Sequence, residues 1–182
     1  MINGFVKEGP LADPAIRLII EPIEQIIKDF KQKDYPIIAL CDAHDLDCGE
    51  FDVFLPHCIK GDQESELIDE FKPYSSSMVL CEKNSVNGFL SPAFKEWFDD
   101  QPFYTNYVVV GCVTDICVLN FASTLQAYLH QHNVDSHVVV SKDTSETYHT
   151  DDHPRETFNH MAYTLMAQLG VKVNDYVTFD NL

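Results

Sequence analysis

Positive charge is scarce in this sequence: 12 lysines and arginines stand against 29 aspartates and glutamates, which gives a formal net charge of −17. So acidic a surface repels the phosphates of nucleic acids and the anionic inner leaflet of a membrane. We therefore expect neither as a partner. A neutral or cationic small molecule fits this charge better.

Long apolar runs are also missing, since no stretch approaches the roughly 18 residues of a membrane span. Residues 1–5 show no basic segment followed by an apolar one. The 6 cysteines lack the density of a secreted disulfide scaffold. These absences predict a cytoplasmic protein with reduced thiols. No repeat or linker divides the 182 residues, so we expect a single domain over 1–182.

Strand-like apolar runs alternate with helical patterns along the chain. The expected strands are 37–41, 78–81, 107–110 and 137–140, and the expected helices are 13–30, 64–71, 91–98, 116–130 and 154–169. Pro22 should kink the first helix. This alternation predicts an α/β fold built from crossover units on a mainly parallel sheet.

The strongest local signal is the segment 108–118, where a strand ends in a tight turn and Cys117 begins a helix. Amides of a first helical turn and the helix dipole favour a thiolate and could also bind an oxyanion. We therefore predict Cys117 as a nucleophile. The alternative is a buried small hydrophobic residue, which is also how we interpret Cys112.

Lys83 follows the predicted strand 78–81 and should reach the same edge of the sheet as Cys117. An ammonium group there would stabilise a neighbouring thiolate. A solvated surface lysine is the alternative.

A third cluster lies in the polar loop, residues 42–61, which is too long for a simple connection. Its imidazoles and carboxylates suit zinc, iron or manganese. The predicted ligands are Asp42, His44, Glu50 and His57; the lower-ranked candidates are Asp45, Asp47, Asp52, Cys48 and Cys58. The alternative is a loop ordered by hydrogen bonds. The histidines at 130, 132, 149, 153 and 160 are interpreted as surface or helix-end residues.

The polar loop, Lys83 and the Cys117 segment, in this order along the chain, resemble the isochorismatase-like cysteine hydrolases. Among these, they are most similar to the nicotinamidase and pyrazinamidase branch. The matching segments are 3–5, 42–44, 50–51, 56–58, 61, 83–85 and 111–118. Segment 111–118 is highly specific for the family, while the Asp-x-His pair with a second histidine downstream indicates the branch. The resemblance implies a three-layer α/β/α fold and a homo-oligomer.

If the resemblance holds, Cys117 attacks a carboxamide carbon, ammonia leaves, and water releases the acid from a thioester. It also implies a cis peptide at Val113–Thr114 and an oxyanion hole formed by the amides of Thr114 and Cys117. The metal, most simply zinc, would bind the pyridine nitrogen of the substrate. Phe5 and Phe54 match rings that enclose the substrate ring, although core packing is their alternative role.

One family feature has no counterpart in the chain. The family's third catalytic residue is an aspartate that closes a first, central strand, and both would precede Met1. We therefore expect upstream residues to exist. Asp115 and Asp13 are the nearest acids in sequence, and no geometric reason favours either. Other amides, carbamoyl compounds or a catalytically silent, metabolite-binding role remain the competing functions.

Overall fold

The computed structural model describes residues 1–182, in which helices and strands alternate. The α-helices are α1 (Asn3–Val6), α2 (Ile20–Gln32), α3 (Pro92–Asp99), α4 (Leu119–Gln131) and α5 (Arg155–Gln168). The strands are β1 (Ile37–Asp42), β2 (Met78–Lys83), β3 (Asn106–Cys112), β4 (His137–Glu146) and β5 (Lys172–Asn174). This order confirms the predicted α/β class. None of these helices is long and apolar enough to cross a membrane.

Every strand pair is parallel, as predicted, but the strands form two sheets. Strand β1 pairs with β2 in one sheet, and β3, β4 and β5 follow one another in the other. A cavity of about 250 Å³ is lined by β1 residues 37–40 and β3 residues 106–111. Strands β1 and β3 share no backbone hydrogen bonds, so this gap lies between the two sheets.

Apolar strand residues beside the gap are less buried than their sequence predicts. Residues 37–41 form a continuous apolar run, yet each is only partly buried. Val108, Val109 and Val110 of β3 are also partly buried. These residues line the gap instead of packing against a neighbouring strand.

Helices pack in two separate apolar clusters. Helices α3, α4 and α5 share one cluster with β4, through residues such as Phe94, Leu125, Met166 and Val138. Helix α2 belongs to the second cluster, in which Ile23 and its neighbours pack with Phe5 and Phe71. The two helical layers and the strands between them give the expected three-layer arrangement.

Two helix predictions are wrong. Segment 64–71 contains only the short 3₁₀ turn Gln63–Ser65, because its backbone pairs instead with the N-terminal residues, Asn3 donating to the Glu66 carbonyl over 2.9 Å. Pro22 lies in the first turn of α2, after a 3₁₀ turn over Pro14–Ile19, where a missing amide hydrogen breaks no helical bond. It therefore does not mark a mid-helix kink.

Candidate active site

Parallel register brings the ends of β1 and β2 together. Asp42 and Lys83 are partners in that register, and the Lys83 ammonium donates a hydrogen bond to the Asp42 carboxylate. Nζ of Lys83 also lies 3.6 Å from Sγ of Cys117 and 3.0 Å from the carbonyl oxygen of Ser85. The structure therefore brings the predicted lysine and cysteine into contact at one edge of the sheet.

Asp42 and Lys83 form a buried ion pair, each with 5% of its surface exposed. Burial by itself lowers the pKa of an ammonium group, but the negative charge of Asp42 and its hydrogen bond to Lys83 favour the cation, and the pKa of Lys83 is raised. Lys83 is therefore a cation at neutral pH. A surface lysine, the alternative reading, does not describe this side chain.

The Cys117 thiol is more protected from ionisation than the sequence suggests. Burial raises the pKa of Cys117 to about 11, and the opposing effects of the Lys83 charge and the Val113 backbone do not cancel that rise. We expected the start of the helix to favour the thiolate, and here desolvation outweighs it. At neutral pH Cys117 is thus a thiol, and Asp42 is the charge that holds Lys83.

Cys117 lies in a single π-helical turn, Thr114–Val118, which we call the nucleophile turn. Strand β3 ends at Cys112, and the cis peptide joins Cys112 to Val113, one residue earlier than the predicted Val113–Thr114 bond. The predicted position is therefore wrong by one residue, and the bond lies directly at the end of the strand. The amides of Ile116 and Val118 donate to the Val113 carbonyl, so neither points to an oxyanion.

In the polar loop, the two predicted imidazole ligands lie close together. The rings of His44 and His57 have centroids 4.7 Å apart, and Nε2 of His44 is 3.6 Å from a carboxylate oxygen of Asp42. Nδ1 of His57 donates to the Leu55 carbonyl over 2.8 Å, which leaves Nε2 as the lone-pair nitrogen. The His57 ring is therefore oriented by its hydrogen bond to Leu55, and the His44 ring lies against Asp42.

The four predicted ligands are not gathered around one point. No group of three or more His, Cys, Asp or Glu side chains is spaced to hold a metal ion. Asp42 is bound to Lys83, and Glu50 accepts a hydrogen bond from the Val86 amide. Nε2 of His44, however, is buried without any hydrogen-bond partner, and burial lowers the pKa of that ring, which favours the neutral form that binds metals. In donor type and in this orphaned nitrogen, the residues fit a metal.

Two small cavities border Cys117. One, of about 80 Å³, is lined by Asp42, Lys83 and Cys117; the other, of about 30 Å³, is lined by Phe5, Phe54, His57 and Cys117 among its residues. The rings of Phe5 and Phe54 each meet His57 edge-on, at centroid distances of 5.9 and 6.2 Å. Both predicted aromatic residues therefore lie beside the candidate nucleophile, and Phe5 is also part of the core.

Sequence reasoning ranked one neighbour of the site low and missed another. Cys48, a lower-ranked candidate, has its sulfur 3.4 Å from Nδ1 of His44. His153, interpreted as a surface or helix-end residue, is only 7% exposed and contacts Asp115 of the nucleophile turn over 2.9 Å. Its burial depends on contacts between distant segments, and no spacing in the sequence signals them.

Together, the parallel α/β layers, the cysteine after a strand end and the lysine beside it define an α/β protein with a thiol and a buried ammonium group at its candidate centre. The sequence model of the isochorismatase domain matches residues 1–174. The chain belongs to the isochorismatase family of hydrolases.

Several characterised proteins are similar to the chain. Nicotinamidase 1 of Arabidopsis thaliana is 28% identical over 99% of this chain and 84% of its own length. The crystal structure of nicotinamidase from Bacillus subtilis superimposes with a TM-score of 0.77 at 23% identity, covering 95% of this chain and 94% of that one. Pyrazinamidase of Pyrococcus horikoshii, solved in complex with zinc, gives 0.72 at 20% identity, covering 98% and 95%. These structures share the fold.

Proposed function

We propose that the protein hydrolyses a small carboxamide, with nicotinamide as the first candidate, to the acid and ammonia. The observation that carries this proposal is the contact between Sγ of Cys117 and Nζ of Lys83, 3.6 Å apart, beside a cavity lined by Phe5 and Phe54. A thiol next to a buried cation and an aromatic wall suits an aromatic amide. The similarity to a nicotinamidase supports the same substrate class.

The proposed reaction has two balanced steps. Sγ of Cys117 bonds to the carboxamide carbon, the carbon–nitrogen bond breaks, and ammonia leaves with the thiol proton. Water then attacks the thioester, which releases the carboxylic acid and restores the thiol. Lys83 stabilises the negative charge on sulfur as the proton departs, and Asp42 holds the ammonium in place. The amides of Thr114 and Cys117 are the proposed donors to the oxyanion.

A divalent metal is the proposed cofactor, with zinc preferred and iron or manganese as alternatives. His44 and His57, with Asp42 and Glu50, would hold it, and the unpartnered Nε2 of His44 supports this assignment. When bound, the metal would hold the pyridine nitrogen of the substrate and so orient its amide. The zinc in the similar pyrazinamidase structure supports the choice of metal.

Hydrolysis of a carbamoyl compound is the second candidate. The cavity of about 80 Å³ beside Cys117 is lined by the charged side chains of Asp42 and Lys83, which suit a polar substrate without a ring. N-carbamoylsarcosine amidase from Thermoplasma acidophilum shares the fold, with a TM-score of 0.75. If the protein hydrolyses no amide, the alternative is a catalytically inactive protein that binds a metabolite.

The cellular setting is part of the proposal. All 6 cysteines are free thiols, which supports a reducing, cytoplasmic location. We also propose a single domain that assembles as a homo-oligomer, and that does not bind nucleic acid or membranes.

Ammonia release from nicotinamide, pyrazinamide and N-carbamoylsarcosine tests the proposal directly. We expect Cys117→Ser to lower kcat by about three orders of magnitude or more. Cys41→Ser is the matched control, because Cys41 is another partly buried free thiol but lies on β1. Equal rates in the two variants, or no turnover of any amide by the unmodified protein, would overturn the proposed activity.

A further inference from the structure

The side chain of Asp115, two residues before Cys117, is held by the segment that follows β4. Its Oδ1 accepts a hydrogen bond from the Thr147 hydroxyl over 2.5 Å, and its Oδ2 lies 2.9 Å from Nε2 of His153. Thr147 is fully buried and His153 is 7% exposed. The nucleophile turn is therefore tied to a distant part of the chain through one carboxylate.

The surroundings of His153 fix which ring nitrogen meets Asp115. Nδ1 lies 3.1 Å from the carbonyl oxygen of Tyr148, and Nε2 lies 2.9 Å from Oδ2 of Asp115. A carboxylate only accepts hydrogen bonds, so Nε2 is the donor in this contact. The imidazole therefore reaches the nucleophile turn through Nε2.

Two aromatic rings enclose this imidazole. The Tyr148 ring stacks on one side at a centroid distance of 4.0 Å and an angle of 13°, and the Phe158 ring stacks at 3.6 Å and 24°. Stacking on both faces fixes the plane of the ring. The donor nitrogen that meets Asp115 therefore has little freedom to move.

Tyr148 links this arrangement to the candidate active site. It stacks on His153 and also lines the 30 Å³ cavity that contains Cys117 and Phe5. Hydrogen bonds to a carboxylate are stronger than those between neutral groups. Movement of the nucleophile turn would break two such bonds to Asp115.

We infer that His153 is a positioning residue, which holds Cys117 in its reactive place through Asp115. The inference rests on the proposed function, in which Sγ of Cys117 has to meet both Lys83 and the amide carbon. A displacement of about 1 Å at a reacting atom costs on the order of a hundredfold in rate. His153 thus affects the reaction without touching the substrate.

The kinetic test compares His153→Gln with His160→Gln, a matched change at an exposed position on α5. A glutamine can donate a hydrogen bond but lacks the ring that stacks on Tyr148 and Phe158. We expect His153→Gln to lower kcat by about ten- to a hundredfold and to change KM by less than about twofold, since substrate contacts remain. His160→Gln should leave both values unchanged.

A double-variant cycle tests whether His153 acts through Asp115. If it does, Asp115→Asn with His153→Gln should cost no more than the more harmful single change, because each removes the same contact. Multiplying effects would contradict the inference. A kcat loss matched by the loss of folded protein would do so as well.

A further readout needs no substrate, and it separates this inference from the proposed activity. The rate at which iodoacetamide alkylates Cys117, followed by mass spectrometry, should change at least about threefold in His153→Gln and not in His160→Gln. An unchanged alkylation rate overturns the inference, whether or not the protein hydrolyses amides.

Discussion

The nucleophile turn and the polar loop border the same cavity, and they differ in how one central side chain of each is satisfied. Asp115 of the nucleophile turn has protein partners for both carboxylate oxygens. In the polar loop, Nε2 of His44 is buried with no partner. A buried polar atom without a hydrogen bond costs free energy. Asp115 is therefore satisfied within the chain, whereas His44 keeps a nitrogen that a further ligand would satisfy.

Lys83 contacts both regions, through Asp42 and Cys117, so its substitution should have the largest effect on the difference between them. We expect Lys83→Met to reduce the free energy of unfolding by about 3–5 kcal/mol, because Asp42 would stay buried without its cation. The change should also abolish most amide hydrolysis. Chemical denaturation with urea measures the first effect.

Lys60→Met is the control for that substitution, since the Lys60–Glu82 ion pair is exposed on both sides. Screening by water makes such a pair nearly irrelevant to stability. Similar losses in the two variants would show that the Lys83–Asp42 pair does not connect the two regions as described.

Addition of a metal tests whether the unpartnered nitrogen of His44 distinguishes the polar loop from the nucleophile turn. If His44 binds a metal, zinc at about 100 times its Kd should raise the free energy of unfolding by about 2.7 kcal/mol. Thermal unfolding with and without zinc measures this. His44→Gln should remove the effect, whereas His160→Gln should retain it. An unchanged melting temperature in the unmodified protein would contradict the assignment.

The raised pKa of Cys117 predicts how the free energy of unfolding changes with pH. Cys117 has a pKa of about 11 when folded and about 9.0 as an ordinary thiol. Its contribution to stability is therefore complete below about pH 9 and falls as pH rises toward 11, by at most about 1.4 kcal/mol per unit. Denaturation curves at several pH values measure it. Cys117→Ala should lessen this fall, and an equally steep loss in that variant would refute the assignment.

The smallest expected effect concerns the aromatic wall. Phe54 is partly buried and meets His57 edge-on, so Phe54→Ala should raise KM for nicotinamide about two- to tenfold, in line with about 0.5–1.5 kcal/mol for an aromatic contact. Phe103→Ala is a suitable control, because Phe103 is exposed and lies outside the cavities beside Cys117. A KM unchanged by Phe54→Ala would indicate that this ring only packs.

Much of the fold could be predicted because it depends on local pattern. The apolar runs that became β1 to β4 are continuous and are separated by polar loops, and the capping pair Ser91-Pro92 marks the start of α3. Strand β5 has only 3 residues, too few for a periodic signal. Segment 64–71 was misread because pairing with residues near Met1 overrode its helical pattern.

The site was predictable where it depended on strand ends, and less so where it depended on distant contacts. Asp42 and Lys83 terminate neighbouring parallel strands, so their meeting follows from topology. The raised pKa of Cys117 results from burial, which no motif reveals. The contact between Asp115 and His153 joins residues 38 positions apart. Only the folded chain shows that these two residues are neighbours.

The gap between β1 and β3 leaves two facing strand edges that share no backbone hydrogen bonds and carry apolar side chains. A single extended strand laid between them would hydrogen-bond to both edges and join the two sheets into one. It would also cover the apolar residues of β1 and β3. One strand in this place would therefore complete the sheet and the core together.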